Sequence, residues 1–203
     1  MLLRHIEPQN GGARFLLQFE GAELSCGAQE ILTFHLAPNS ELDELQYARL
    51  CDACALFAVK AKAAALVSAK AMSSGELIEK LLVRGASREH AQAAAAHLAE
   101  LGVLNDLDYA HSVVRHYAAK GYGAQRIAQE LYRHRIPKEL WEEALTELQT
   151  QRMTPETLIE KKLRGGPLTK ENVKSLSTYL LRRGYAWEEV CRALNRYSET
   201  RED

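Results

Sequence analysis

The sequence predicts a mainly α fold of tandem three-helix repeats: three units and nine helices in an elongated curved array, preceded by a small N-terminal β-containing appendage. Two observations carry this. Three segments align without a gap, ELIEKLLVRGASREHAQAAAAHL (76–98), RIAQELYRHRIPKELWEEALTEL (126–148) and SLSTYLLRRGYAWEEVCRALNRY (175–197), at offsets of 50 and 49. From Asp43 onward, apolar residues recur at helical spacing almost throughout. A fixed period of this length is the mark of a repeat architecture, in which each unit packs chiefly on its neighbours.

The elements follow in order. Residues 1–42 form the appendage: the apolar run Phe15 to Phe19 before Glu20-Gly21 predicts a small hairpin, and AQEILTFHL a short helix. Pro38, Asn39 and Ser40 then break the chain, with Asp43 as the N-cap of the next helix. Repeat 1 covers 43–103, repeat 2 covers 104–150 and repeat 3 covers 151–203. Each opens with a helix, at 43–70, 107–119 and 155–164. The second helix buries Leu77/Ile127/Leu176 and Leu81/Leu131/Leu180. The third buries Ala91/Trp141/Val190, Ala94/Ala144/Ala193, Ala95/Leu145/Leu194 and Leu98/Leu148/Tyr197, an i, i+3, i+4, i+7 face. Between them, Gly85, Arg135 and Gly184 hold one position, that of a helix C′ residue with positive φ. Glu89, Glu139 and Glu188 then fall in the first turn of the third helix, where a carboxylate favours the dipole.

Composition places the chain among ordinary globular proteins, at 46% apolar and 26% charged residues. MLLRHIEPQN lacks the apolar core of a signal peptide, and the longest apolar run, ACALFAV, is far short of a bilayer span. A cytoplasmic protein without membrane contact is the expectation. Net charge is −1, but its distribution is segregated: His111 to Lys138 holds six Lys/Arg against one Glu, and Lys161 to Arg196 holds nine against three acids. Such stripes suit a polyanionic or acidic partner.

No constellation for catalysis is legible. The seven histidines have no i, i+4 pair, and Cys51-x-x-Cys54 has no second half to complete a zinc site. GYGAQR is not a dinucleotide loop, and LRGGPLTKE lacks the Gly-Lys-Ser/Thr of a phosphate loop. Asp106 and Asp108 read as capping residues at a helix start. The expectation is no enzyme, no cofactor and no metal. The paired helices also read as helix-turn-helix units. Their third helices begin acidic, however (REHA, KELWEE, AWEEV), which is electrostatically wrong for a groove of DNA.

GVLNDLDYAHSVVRHYAAKGYGAQRIAQELYRHRIPKELWEEAL resembles the middle repeat of the RecX family. KKLRGGPLTKENVKSLSTYLLRRGYAWEEVCRAL is similar to its third repeat and SSGELIEKLLVRGASREHAQAAAAHLAELGVLND to its first. Residues 1–40 resemble an extension that some members carry. The resemblance implies a monomeric, non-catalytic modulator, usually an inhibitor, of the RecA recombinase. Such proteins lie in the groove of the RecA–single-stranded-DNA filament and suppress ATP hydrolysis, strand exchange and LexA cleavage. That would make this chain a regulator of recombination, DNA repair and the SOS response. With net charge near zero, its binding to free DNA is expected to be weak and little dependent on sequence. On this match Arg115, Lys120, Arg126, Arg133, Lys162, Arg164, Arg182 and Arg183 are the candidate filament-binding residues. The arginines are expected to project outward, so that reversing Arg126, Arg133, Arg182 and Arg183 would spare the fold. A helical-repeat adaptor or DNA-binding protein with unrelated partners is the alternative. Three departures from the family pattern stand out: Arg135 in place of glycine, Asp108 before Tyr109 where a basic residue is common, and only Lys70 where repeat 1 usually carries a basic run.

Overall fold

Residues 1–146, 148 and 153–199 are described by a computed structural model. They form two compact units. The first holds Met1–Ala71 with Leu77–Leu104; the second holds Met72–Glu76 with the described residues from Asn105 onward.

The first unit begins with a three-stranded antiparallel sheet, β1 (Leu3–Gln9), β2 (Arg14–Phe19) and β3 (Ala22–Cys26), in that spatial order. The expected hairpin is β2–β3, turning at Glu20-Gly21. The sequence reading missed β1. Its composition, LRHIEPQ, is polar and includes Pro8, which lacks a ladder donor and is tolerated because β1 is an edge strand. Leu3, Leu17, Phe19 and Cys26 turn inward. They pack with Leu50 and Cys54 of the long helix α2 (Glu44–Ala69), which follows the short α1 (Ala28–Thr33). Phe19 meets Tyr47 edge to face at 5.1 Å. Asp43 caps α2 as expected: Gln46 N donates to its carboxylate at 2.7 Å, and the Gln46 side chain accepts from Asp43 N.

The remaining helices arrive in the order expected. They are α3 (Ser74–Val83), α4 (Arg88–Glu100), α5 (Asp106–Ala119), α6 (Ala124–Arg133), α7 (Trp141–Thr146), α8 (Pro155–Leu163), α9 (Lys170–Arg182) and α10 (Trp187–Glu199). Leu77, Ile127 and Leu176 are buried, as are Leu81, Leu131 and Leu180, and so are Ala94, Ala144 and Ala193. The aligned segments therefore turn the same faces inward. One repeat departs locally. Ser87 caps α4 by accepting from His90 N; Ala186 at that position in the third repeat donates its N–H to the Glu189 carboxylate, whereas Pro137 in the second has neither a hydroxyl nor an N–H. There the chain tightens into a 3-10 turn over Lys138–Leu140 before α7, and Trp141 donates its indole N–H back to Ile136 O at 3.0 Å. At the start of α5 the cap is Asn105, which accepts from Leu107 N and Asp108 N. Asp106, read as a capping residue, instead accepts from Ser74 N at 2.7 Å and from the Ser74 hydroxyl.

The turn between the second and third helices does more than reverse the chain. Gly85, Arg135 and Gly184 all have positive φ, at 85°, 53° and 83°. In the second unit, the turns at 135 and 184 each receive the start of another helix. Gly123 N donates to Arg183 O at 2.8 Å, and Gln125 N to Gly184 O at 3.1 Å. At the equivalent place one repeat earlier, the Ser73 hydroxyl donates to His134 O. The approach is close enough to exclude side chains. A Cβ on Gly123 would stand 2.4 Å from Gly184 O, one on Gly184 2.3 Å from Arg126 N, and one on Gly75 2.5 Å from Arg135 O. Polar groups complete the earlier contact. His134 Nδ1 lies 3.1 Å from both Glu76 Oε1 and the Tyr109 hydroxyl, and burial, with the Glu76 carboxylate beside it, pushes the Tyr109 phenol up to about 12.

We expect Gly123→Ala and Gly184→Ala each to lose more than about 2 kcal/mol, since the added methyl meets backbone that cannot step aside. Arg135→Gly should hold or raise the melting temperature, because it relieves a left-handed L-residue worth on the order of 1 kcal/mol. Thermal melts of the three variants check this; alanine variants melting with the parent would mean that the helix start and turn are not in register.

A candidate cationic interaction surface

The candidate basic residues fall on helices of the second unit, and the structure divides them by what they touch. Arg126 and Arg133 converge on one carboxylate: Arg126 Nη2 and Arg133 Nη1 each lie 3.0 Å from Glu130 Oε1. Glu130 is only 4% exposed, and its other oxygen accepts from the Tyr117 hydroxyl at 3.2 Å. A carboxylate this buried needs its partners, so these two arginines are partly committed to Glu130 within α6, while the Tyr117 bond ties that carboxylate to α5. Burial first, and Glu130 beside it, raises the Tyr117 phenol above its ordinary range.

Arg183 is committed further. Its Nη1 donates to Lys120 O at 2.5 Å and Gly121 O at 3.1 Å, capping the carbonyl end of α5 from another repeat. The guanidinium also stands 5.2 Å from the Tyr122 ring centre and 4.9 Å from that of Tyr179. Below it Tyr185, fully buried, donates to Met153 O at 2.7 Å and to Gly121 O at 3.3 Å. The expectation that Arg126, Arg133 and Arg183 can be reversed without cost to the fold is therefore corrected. Each holds contacts that charge reversal would turn into repulsion or leave unmade.

The others are more available. Arg115 is exposed on α5 and donates to the Ser112 hydroxyl at 3.2 Å. Lys120 is exposed at the end of that helix, 5.4 Å from the Tyr117 ring centre. Arg164 ends α8 in a left-handed conformation with φ of 50° and an exposed side chain. Lys162 and Arg182 meet across a groove of about 440 Å³ between α8 and α9, with Lys174, Ser175 and Thr178 along it and Glu171 at its side. Lys162 Nζ sits 4.0 Å from the Tyr179 ring centre.

Lys174 and Tyr179 belong to this surface and were not singled out from the sequence. Lys174 had a signal: Lys174, Thr178 and Arg182 stand at i, i+4, i+8, one face of a helix. Tyr179 had half of one: Arg183 stands four residues on, but its other cationic neighbour, Lys162, comes from α8. With Lys162 and Arg183 over it, the ring is already occupied by cations instead of lying open for a base to stack on. Beside the charges, Tyr132 and Leu181 hold the same repeat position and are 60% and 41% exposed. The surface thus offers both point charges and apolar side chains.

Among the described residues no group of three or more His, Cys, Asp or Glu side chains is placed to hold a metal ion, and no helix is long and apolar enough to cross a membrane.

Removing Arg183 and removing Arg182 should separate. Arg183→Ala abandons charge-assisted bonds to two carbonyls and is expected to lose about 1–3 kcal/mol. Arg182→Ala should stay within about 0.5 kcal/mol of the parent. Equal losses in denaturant titrations would contradict this division.

Comparison with known proteins agrees with the helix trios. Residues 105–145 match the sequence profile of the second three-helix domain of RecX. The chain is 34% identical over 123 residues to the regulatory protein RecX of Vibrio parahaemolyticus, covering 59% of this chain and 79% of that protein. It is 32% identical over 143 residues to that of Vibrio campbellii, covering 67% and 89%. A more distant likeness, 24% over 199 residues, reaches 96% of this chain and 99% of the regulatory protein RecX of Caldanaerobacter subterraneus subsp. tengcongensis. A crystal structure of a regulatory protein RecX superposes with a TM-score of 0.75 at 19% identity, over 98% of this chain and all of that one. RecX from Lactobacillus salivarius gives 0.63 at 20% identity, over 71% and 97%. At these identities the two structures speak for the fold.

Proposed function

The chain belongs to the RecX family of regulatory proteins, and from that premise we propose that it is a non-catalytic, cytoplasmic inhibitor of the RecA recombinase. It binds as a monomer in the groove of the RecA–single-stranded-DNA filament. There it suppresses ATP hydrolysis, strand exchange and LexA cleavage, and so restrains recombination, DNA repair and the SOS response.

The observation that carries this reading is the placing of cations on successive helix trios of one compact unit. Arg115 and Lys120 lie on the second trio; Lys162, Arg164, Lys174 and Arg182 lie on the third. A partner that repeats along an axis and carries acidic and phosphate groups would meet such a surface at several points, each contact modest and the sum large. In this proposal the trios over 43–103, 104–150 and 151–203 are the docking modules, and residues 1–42 are a separate extension.

The groove between α8 and α9 fits the phosphodiester backbone better than the bases. Its lining is Lys, Arg and hydroxyl side chains, which position a nucleic acid without reading it. Tyr179 is covered by cations, so the stacking worth about 1–3 kcal/mol per base on an open aromatic is not on offer. Tyr132 and Leu181 are the side chains for the protein face of the filament.

The test is inhibition of filament ATP hydrolysis by a triple variant, Lys162→Glu, Lys174→Glu and Arg182→Glu, with circular dichroism as the control for folding. These three sites avoid the Glu130 contacts and the hold of Arg183 on α5; Lys162 shares only the Tyr179 ring with Arg183. Inhibition should fall stepwise with each reversal, and inhibition by the parent should weaken as salt rises. Undiminished inhibition by the folded triple variant would move docking to another surface, and no inhibition by the parent would favour an adaptor with an unrelated partner.

A further inference from the structure

The first unit contains a cleft that the filament reading leaves unused. It encloses about 430 Å³ between the loop joining β1 to β2 and the side of α2. Ala13 and Arg14 stand on the sheet wall; Phe57, Ala58, Ala61 and Lys62 stand on the helix wall. Both walls are fixed by local chemistry. Asn10, Gly11 and Gly12 have φ of 50°, 66° and 89°, a left-handed run that sets the shape of the hairpin loop. Across the cleft, Gly27 makes room for the Phe57 ring: a Cβ there would lie 2.8 Å from Phe57 Cε2. The ring is held as a partly exposed apolar floor.

The charges around that floor are uncompensated. Arg14 bonds through Nε to the Ser25 hydroxyl, while its Nη groups and Lys62 have no carboxylate partner among the described residues. Nearby on the same sheet Arg4 is paired with Glu20. The two cations come from opposite walls, Arg14 from the sheet and Lys62 from α2, the helix that also carries Phe57.

We propose that this cleft binds an acidic peptide segment, seating one apolar side chain on Phe57 with carboxylates on both sides meeting Arg14 and Lys62. The two-sided charge selects a peptide over a fatty acid, whose single carboxylate stands at one end of its chain. The apolar floor separates the cleft from a purely cationic patch, which would take any polyanion. Recognition of this kind, an anchor in a pocket with charges fixing its orientation, needs few contacts to be specific. The site does not depend on the RecA reading and involves none of its residues.

The experiment uses the full chain and fluorescence anisotropy of a short labelled peptide with a central Leu-Phe pair flanked by Asp and Glu. Saturable binding is expected. Arg14→Gln and Lys62→Gln, both exposed and away from the core, should each weaken it about two- to fivefold, as solvated ion pairs do. Phe57→Ala should weaken it further. A peptide with Ala in place of Leu-Phe should bind poorly, and Lys174→Gln in the groove between α8 and α9 should change nothing. Inhibition of RecA by the Arg14 and Lys62 variants is measured alongside and should stay at the parent level, which keeps the two proposals separable. The proposal is overturned if the Arg14 and Lys62 variants bind the peptide as the parent does, if the Ala peptide binds equally, if Lys174→Gln abolishes binding, or if oleate binds the cleft and the peptide does not.

Discussion

The second unit depends on one close contact, the start of α6 set against the turn that follows α9. Gly123 N and Gln125 N donate to Arg183 O and Gly184 O across a gap in which neither glycine could carry a side chain. Backbone hydrogen bonds at that spacing fix orientation as well as distance, because both donors and both acceptors belong to rigid helix ends. The same arrangement recurs one repeat earlier with different chemistry. There Gly75 provides the room, the left-handed residue is Arg135, and Ser73 supplies the donor. What is preserved between repeats is the geometry of a helix start on a turn, and which side gives up its Cβ is free to change.

From that contact follows the division among the arginines. Arg183 lies at the junction, so its guanidinium is drawn onto the carbonyl end of α5 and between Tyr122 and Tyr179. Arg126 and Arg133 flank a buried glutamate one helix away. The side chains left over, Lys162, Lys174 and Arg182, face a groove. Cations that look equivalent as a stripe in the sequence thus split into those that build the unit and those that it presents. For a regulatory protein that works by docking, the first group sets where the second group stands.

Much of this was legible beforehand, and the reason is that repeats carry their own internal control. Three aligned copies made the inward faces and the left-handed position visible, including the strained Arg135, without knowledge of any contact. Caps such as Asp43, written in a few adjacent residues, were equally readable. Strand β1 was not, because an edge strand with Pro8 and alternating charge has no pattern that distinguishes it from a loop. Nor were the Ser74–Asp106 clasp or the hold of Arg183 on α5, which join residues far apart in the chain. Tyr179 was half legible, since Arg183 stands four residues on, but Lys162 reaches its ring only because folding brings α8 beside it.

The central claim is that helix start and turn form a single hydrogen-bonded junction. Native-state amide exchange reads it directly at Gly123 and Gln125. Those amides sit at a helix N-terminus, where intrahelical partners are missing and exchange is ordinarily fast. Docked on Arg183 O and Gly184 O, they should be protected to the level of the α9 core and lose that protection together in Gly184→Ala. Exchange at the rate of an exposed helix start in the parent protein would contradict the account.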